Sequence, residues 1–137
     1  MFKLSIVSPE RVLYEDDVES LVAPGIDGYL GILSNHAPLI TSLVTGRIEI
    51  RDAHKIEKIA AISQGFLEVS GNTATILADA VEFVEEIDLS RAESALKRAE
   101  ERVNMDSGDI DLPRARNALI RARNRIKLVK QFKQMKK

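Results

Sequence analysis

Residues 87–92 run Ile87-Asp88-Leu89-Ser90-Arg91-Ala92, and 23 positions later residues 110–115 run Ile110-Asp111-Leu112-Pro113-Arg114-Ala115. The matching continues at Ala95 with Ala118, Leu96 with Leu119, Arg98 with Arg121, Ala99 with Ala122 and Arg102 with Arg125, so that 10 of 17 aligned positions are identical. Each copy opens on an aspartate where a helix N-cap belongs, because its carboxylate can accept the unpaired N–H groups of the first turn. Pro113 is tolerated because it falls in that first turn. Behind the first cap, Leu89, Ala92, Ala95, Leu96, Ala99 and Val103 recur at helical spacing; behind the second, Leu112, Ala115, Ala118, Leu119, Ala122, Ile126 and Val129 do the same. Asn104 to Asp109, which contains Ser107-Gly108, breaks the pattern between them. Two similar amphipathic helices joined by a short loop predict an antiparallel αα-hairpin. Its alanine seam allows close approach but buries little area per residue, at roughly 25 cal/mol per Å². The hairpin is therefore expected to be marginally stable alone and able to leave its dock.

Ahead of Val84 the apolar period is two. Phe2, Leu4 and Ile6 alternate with Lys3, Ser5 and Val7, and Val18 to Val22 is a further short strand. In Gly46 to Arg51, Ile48 and Ile50 share one face and charges the other; Asp52-Ala53-His54 is the turn, and Lys55 to Ile62 returns as the partner strand. Phe66 to Val69 and Thr73 to Leu77 flank Ser70-Gly71-Asn72, a hairpin signal. Many short strands with turn signals about every ten residues predict a β-sandwich or flattened barrel. The expected fold class is α+β, with a sandwich over residues 1–84 and a helical hairpin over residues 85–137.

The chain has 137 residues and no cysteine, which excludes a disulfide scaffold, a thiolate zinc site, an iron–sulfur cluster and a Cys nucleophile. His36 and His54 are too few for a histidine-rich metal centre. Aromatic residues make up 4% and there is no Trp, so a stacking surface for single-stranded nucleic acid is not expected. No run of 18 apolar residues is present and Met1 to Pro9 lacks a signal-peptide core, so neither membrane insertion nor export is expected. The net charge of −1 hides an asymmetry. Residues 1–109 hold 10 Lys and Arg against 20 Asp and Glu, whereas residues 110–137 hold 10 against the single acid Asp111. A tail so basic calls for an acidic partner in this chain, in another protein or in a phosphate-bearing ligand.

Catalytic signatures are missing. No G-x-x-x-x-G-K-[ST] phosphate loop and no G-x-S-x-G nucleophile elbow occurs. The glycines of Gly25 to Gly31 serve turns, because no helix follows them. His36, in Leu33-Ser34-Asn35-His36-Ala37-Pro38, reads as a loop or contact histidine, and Glu15-Asp16-Asp17 as a solvated loop rather than a metal site. The arginines stand apart. Arg98/Arg102 and Arg121/Arg125 are i, i+4 pairs, each on one helical face. If the hairpin closes, facing guanidinium groups repel unless an anion lies between them, and their forks suit phosphate oxygens. Asp88 can orient Arg91 or accept a ribose or amine hydrogen bond. The alternative is that these are surface arginines paired with Glu93, Glu100 and Glu101.

The chain resembles a known family, the epsilon subunit of the bacterial F-type ATP synthase. The resemblance is carried by Val22-Ala23-Pro24-Gly25, Gly28 to Leu33, Asn35-His36-Ala37-Pro38-Leu39, Ser63 to Val69, Thr75 to Ala80 and Ile87-Asp88-Leu89-Ser90-Arg91-Ala92, in an order and spacing that span essentially the whole chain. It implies a non-catalytic rotor subunit of a proton-transporting synthase, peripheral on the cytoplasmic face of the bacterial membrane. The sandwich would sit at the foot of the central stalk against the gamma subunit and the c-ring, with Tyr29, Leu30, Gly31, His36, Ala37 and Pro38 as the contact set. The hairpin would fold down or extend along gamma towards the alpha and beta subunits, where it blocks ATP hydrolysis; Arg114, Arg116, Arg123, Lys127 and Lys130 would form its inhibitory basic face. No cofactor is required. In some members the Ile-Asp-x-x-Arg-Ala motif is associated with ATP bound as a regulatory ligand, which carries over to Glu82, Ile87, Asp88, Arg91, Ala92, Arg98, Arg121 and Arg125. Two features depart from the family: many members carry an acidic residue where this chain has Tyr29, and the tail Ile126 to Lys137 is longer and more basic than in many members. The readings set against this one are a basic helical hairpin that grips nucleic acid, with binding that falls steeply with salt, and a small enzyme built on His36.

Overall fold

In a computed structural model of the protein, the structure describes residues 1–104 and 111–133. The predicted break after Asn104, Ile110 of the second repeat, and the tail from Gln134 lie outside the described residues. The chain divides into two compact units, Met1–Phe83 and Val84–Lys137.

The first unit is built from nine strands: β1 (Phe2–Val7), β2 (Val12–Gly25), β3 (Gly28–Leu33), β4 (Leu39–Leu43), β5 (Gly46–Asp52), β6 (Glu57–Ile62), β7 (Gly65–Ser70), β8 (Thr73–Ala78) and β9 (Val81–Phe83). The long strand β2 belongs to both layers of the sandwich. Its first half pairs with β1, in the order β4-β7-β8-β1-β2, and its second half pairs with β3 and β5, in the order β3-β2-β5-β6-β9. All these pairings are antiparallel except β1 with β8. Alternate residues of each strand turn inward. Leu4, Ile6, Leu67 and Ile76 from one layer meet Leu21, Ile48, Ile50 and Ile62 from the other, every one of them at most 1% exposed.

Three sequence expectations are corrected. The strand placed at Val18 to Val22 runs from Val12 to Gly25. Consequently Glu15, Asp16 and Asp17 lie in a strand and not in a loop: they pair only with β1 and face water, where charge suits an edge. The partner strand of β5 begins at Glu57, because Lys55 adopts a φ of 63° and extends the turn. Gly71 and Asn72, with φ of 56° and 57°, form the two-residue β7–β8 turn, whose left-handed pair matches the twist of the flanking strands.

The second unit opens with a 3₁₀ turn at Val84–Glu86 and continues as α1 (Leu89–Asn104) and α2 (Leu112–Leu128), which pack on each other as a hairpin, and a π-helical turn at Val129–Lys133. The opening turn packs against this closing one, and Val84, Ile87, Leu128 and Val129 are all buried. Both caps form: Asp88 Oδ1 accepts the Arg91 N–H and Asp111 Oδ1 accepts the Arg114 N–H, each at 3.1 Å. The repeat is kept in burial, with Ala92 and Ala99 matched by Ala115 and Ala122. Leu112 departs from the predicted stripe: it is the first residue of α2 and is 37% exposed. Among the described residues no helix is long and apolar enough to cross a membrane.

Candidate functional site

Seven of the eight nucleotide candidates lie on the helical unit. Ile87 and Ala92 are buried and serve packing. Asp88, Arg91 and Arg98 are exposed, while Arg121 and Arg125 are half-buried. The structure brings Asp88 and Arg91 together through the cap, which engages the backbone N–H of Arg91 and leaves its guanidinium out of the bond. Asp88 therefore has Oδ2 to offer another donor. Arg91 and Arg98 lie seven residues apart, so they share one side of α1 about two turns apart; Arg121 and Arg125 do the same on α2 one turn apart. Glu82 sits on β9 opposite Ala61 and belongs to the other unit.

The basic residues assigned to α2 do not form a single stripe. All five are exposed. At 3.6 residues per turn, Arg116, Arg123 and Lys127 fall within about 40° of one another, and Arg114 lies roughly on the opposite side. Lys130 follows α2 in the π turn.

The third set lies on the sandwich. Tyr29, Leu30 and Gly31 belong to β3, which turns back from β2 through Ile26 and Asp27. Leu30 packs against the core, whereas Tyr29 is 48% exposed. His36, Ala37 and Pro38 form the β3–β4 connection. His36 Nδ1 lies 2.7 Å from the Ala37 carbonyl oxygen, so the ring donates there. The partner is a backbone carbonyl, and among the described residues no acid hydrogen-bonds the ring, so the arrangement that general-base work needs is not formed there. Among the described residues no group of three or more His, Asp or Glu side chains converges to hold a metal ion.

Two positioning residues escaped the sequence. Asn72 Oδ1 accepts the Asn35 N–H at 2.8 Å and its Nδ2 donates to the Met1 carbonyl at 2.9 Å, which ties the His36 loop to the β7–β8 turn and to the start of β1. Arg47 covers Tyr29, with its guanidinium carbon 4.4 Å from the ring centroid. Neither signal is local: Asn35 and Asn72 are 37 residues apart, and Tyr29 and Arg47 are 18 apart.

A β-sandwich followed by a capped, alanine-seamed helical hairpin defines a two-part class of α+β chain. Residues 1–84 match the family model of the ATP synthase delta/epsilon chain beta-sandwich domain, and residues 85–130 match that of the delta/epsilon long alpha-helix domain. The chain belongs to the ATP synthase delta/epsilon chain family. It is 52% identical over 101 residues to the ATP synthase epsilon chain of Pelotomaculum thermopropionicum, a match covering 74% of this chain and 75% of that one. It is 54% identical over 101 residues to that of Carboxydothermus hydrogenoformans, with the same shares covered. The fold is shared with a chain of the Euglena gracilis mitochondrial ATP synthase, at a TM-score of 0.74 and 20% identity over 88% of this chain and 76% of that one.

Proposed function

We propose that this chain is the rotor-side regulatory subunit of a proton-transporting F-type ATP synthase. It is a non-catalytic stalk subunit of that complex. The observation that carries the reading is the two-part match over residues 1–130 together with a hairpin whose two helices are separately capped. In this reading the sandwich packs on the gamma subunit and the c-ring through Tyr29, Leu30, Gly31, His36, Ala37 and Pro38. A solved Tetrahymena thermophila structure described as central stalk and c-ring shares the fold at a TM-score of 0.56, with 16% identity over 94% of this chain and 93% of that one. The protein is thereby held peripherally at the cytoplasmic face of the membrane, as part of the complex.

The hairpin is the regulatory part. Extended, it presents Arg116, Arg123 and Lys127 to acidic surface on the alpha and beta subunits and blocks hydrolysis. Folded, it holds ATP without hydrolysing it. Arg91, Arg98, Arg121 and Arg125 would take the phosphates, and Asp88 would accept a ribose or amine hydrogen bond. ATP shifts the population only by binding one hairpin state better than the other.

Calorimetry on the isolated chain, beside Arg91→Ala and Arg125→Ala, tests the sensor. Saturable ATP binding lost in both variants supports it, and no binding at millimolar ATP overturns it. The inhibitory role of the hairpin is tested by reconstituting the complex with a chain ending at Glu86. Hydrolysis should rise while the complex still assembles; unchanged hydrolysis overturns the inhibitory role.

A further inference from the structure

Tyr29 stands at the tip of the β2–β3 hairpin, where exposure alone would make it a mobile contact residue. Three independent observations fix it instead. The Arg47 guanidinium lies 4.4 Å from its ring centroid. Its Oη accepts the Arg47 backbone N–H at 3.1 Å. The preceding residue is glycine, and a Cβ on Gly46 would lie 2.7 Å from Tyr29 Oη and 2.9 Å from Pro24 Cβ, so the phenol occupies the space that a side chain there would fill. Arg47 Nε is shielded from water and lies 3.6 Å from Glu49, an ion pair too long for a hydrogen bond. The turn is also tied to the end of β4, since Ile26 N–H donates to Ser42 O at 3.0 Å and Val44 N–H to Pro24 O at 2.9 Å.

We propose that Arg47 is a positioning residue. With Gly46 it clasps Tyr29 onto the start of β5, so that the β2–β3 tip is preformed before it meets a partner. A preformed tip avoids the ordering cost that a flexible loop meets on binding. It also changes the character of the contact. The residue at the tip is a phenol with a cation engaged on its ring, and the exposed side chains beside it are two apolar groups, Ile26 and Val44, and one carboxylate, Asp27. The tip therefore offers a ring with one wet end, flanking apolar groups and a single carboxylate, which suits a partner surface that is apolar with a polar or basic edge.

The functional part rests on the c-ring contact proposed above, and the experiment separates the two. Amide hydrogen exchange over residues 26–33 is measured on the full chain for wild type, Arg47→Ala, Arg47→Lys and Tyr29→Phe, together with affinity for isolated c-ring in detergent. Losing the cation over the ring should speed exchange of the tip about two- to fivefold in Arg47→Ala, leaving β7 and β8 unchanged. Arg47→Lys should recover part of that, and Tyr29→Phe should keep the stacking while losing the acceptor. Unchanged exchange at the tip in Arg47→Ala, or a uniform rise across the sandwich, overturns the clasp. A loosened tip with weaker c-ring affinity supports both parts. A loosened tip with unchanged c-ring affinity keeps the clasp and overturns the contact.

Discussion

The Asp88 carboxylate accepts the backbone N–H of Arg91 at 3.1 Å. The bond joins the two charged residues of the Ile-Asp-x-x-Arg-Ala motif through the main chain of one and the side chain of the other. Removing the Arg91 guanidinium therefore leaves the cap intact, whereas removing the Asp88 carboxylate removes the cap.

Asp88→Ala should cost the hairpin about 1 kcal/mol, and Asp88→Ser should recover most of it by capping with a hydroxyl. Asp111→Ala should behave like Asp88→Ala, because it loses the equivalent bond to Arg114. Thermal melts followed by circular dichroism at 222 nm check this. Equal melting of Asp88→Ala and wild type would refute the capping role. If ATP binds, Asp88→Ser separates loss of the cap from loss of the ligand contact.

Ala99 and Ala122 are 3% and 2% exposed and occupy equivalent positions of the repeat. Enlarging either to leucine should destabilise the helical unit by about 1–3 kcal/mol through overpacking. The sandwich is a separate compact unit, so its amide protection should stay unchanged. Hydrogen exchange resolved by segment checks both halves of the statement.

Asn72 combines a φ of 57° with side-chain bonds to Asn35 and Met1. Asn72→Gly keeps the backbone conformation and loses both bonds, and should cost about 1–2 kcal/mol. Asn72→Ala adds left-handed strain and should cost about 1 kcal/mol more. Urea unfolding of both variants gives the difference. Equal losses would show that the turn conformation contributes nothing.

Asp52 closes the β5–β6 turn by accepting the N–H groups of Ile56 at 3.0 Å and His54 at 2.8 Å. The bond from Ile56 above all holds its carboxyl below the ordinary value of 3.8; desolvation is the next largest effect and opposes it, and the bond from His54 and the charges of His54 and Lys58 add to the lowering. A carboxyl whose pKa is lower in the folded state adds stability that is present above its unfolded pKa and is lost as the pH falls through the folded value. Asp52→Asn keeps an oxygen acceptor and removes the charge. The stability difference between wild type and variant should thus be present at pH 7 and shrink below about pH 4. Urea titrations at pH 7 and pH 3 decide it.

Local pattern carried a large part of the structure. The period-two runs at Phe2 to Ile6, Gly46 to Arg51 and Phe66 to Val69 become β1, β5 and β7, because one face of each is buried and alternation follows from the pleat. Aspartates at 88 and 111 cap helices because capping depends on residues three apart. What failed was also physical. Glu15-Asp16-Asp17 looked like a loop because polar residues lower strand propensity, but pairing with β1 along one edge outweighed it.

The sequence by itself determined the position of six of the nine strands, the 23-residue helical repeat, the opposed charges of the two parts and the family resemblance. These reside in residue types and short spacings. Only the tertiary structure decided that β2 serves both layers of the sandwich, that Asn72 holds the His36 loop, and that Arg47 with Gly46 holds Tyr29. Those relationships join residues far apart along the chain, and their partners are chosen by how the strands pack and pair, which no local pattern encodes.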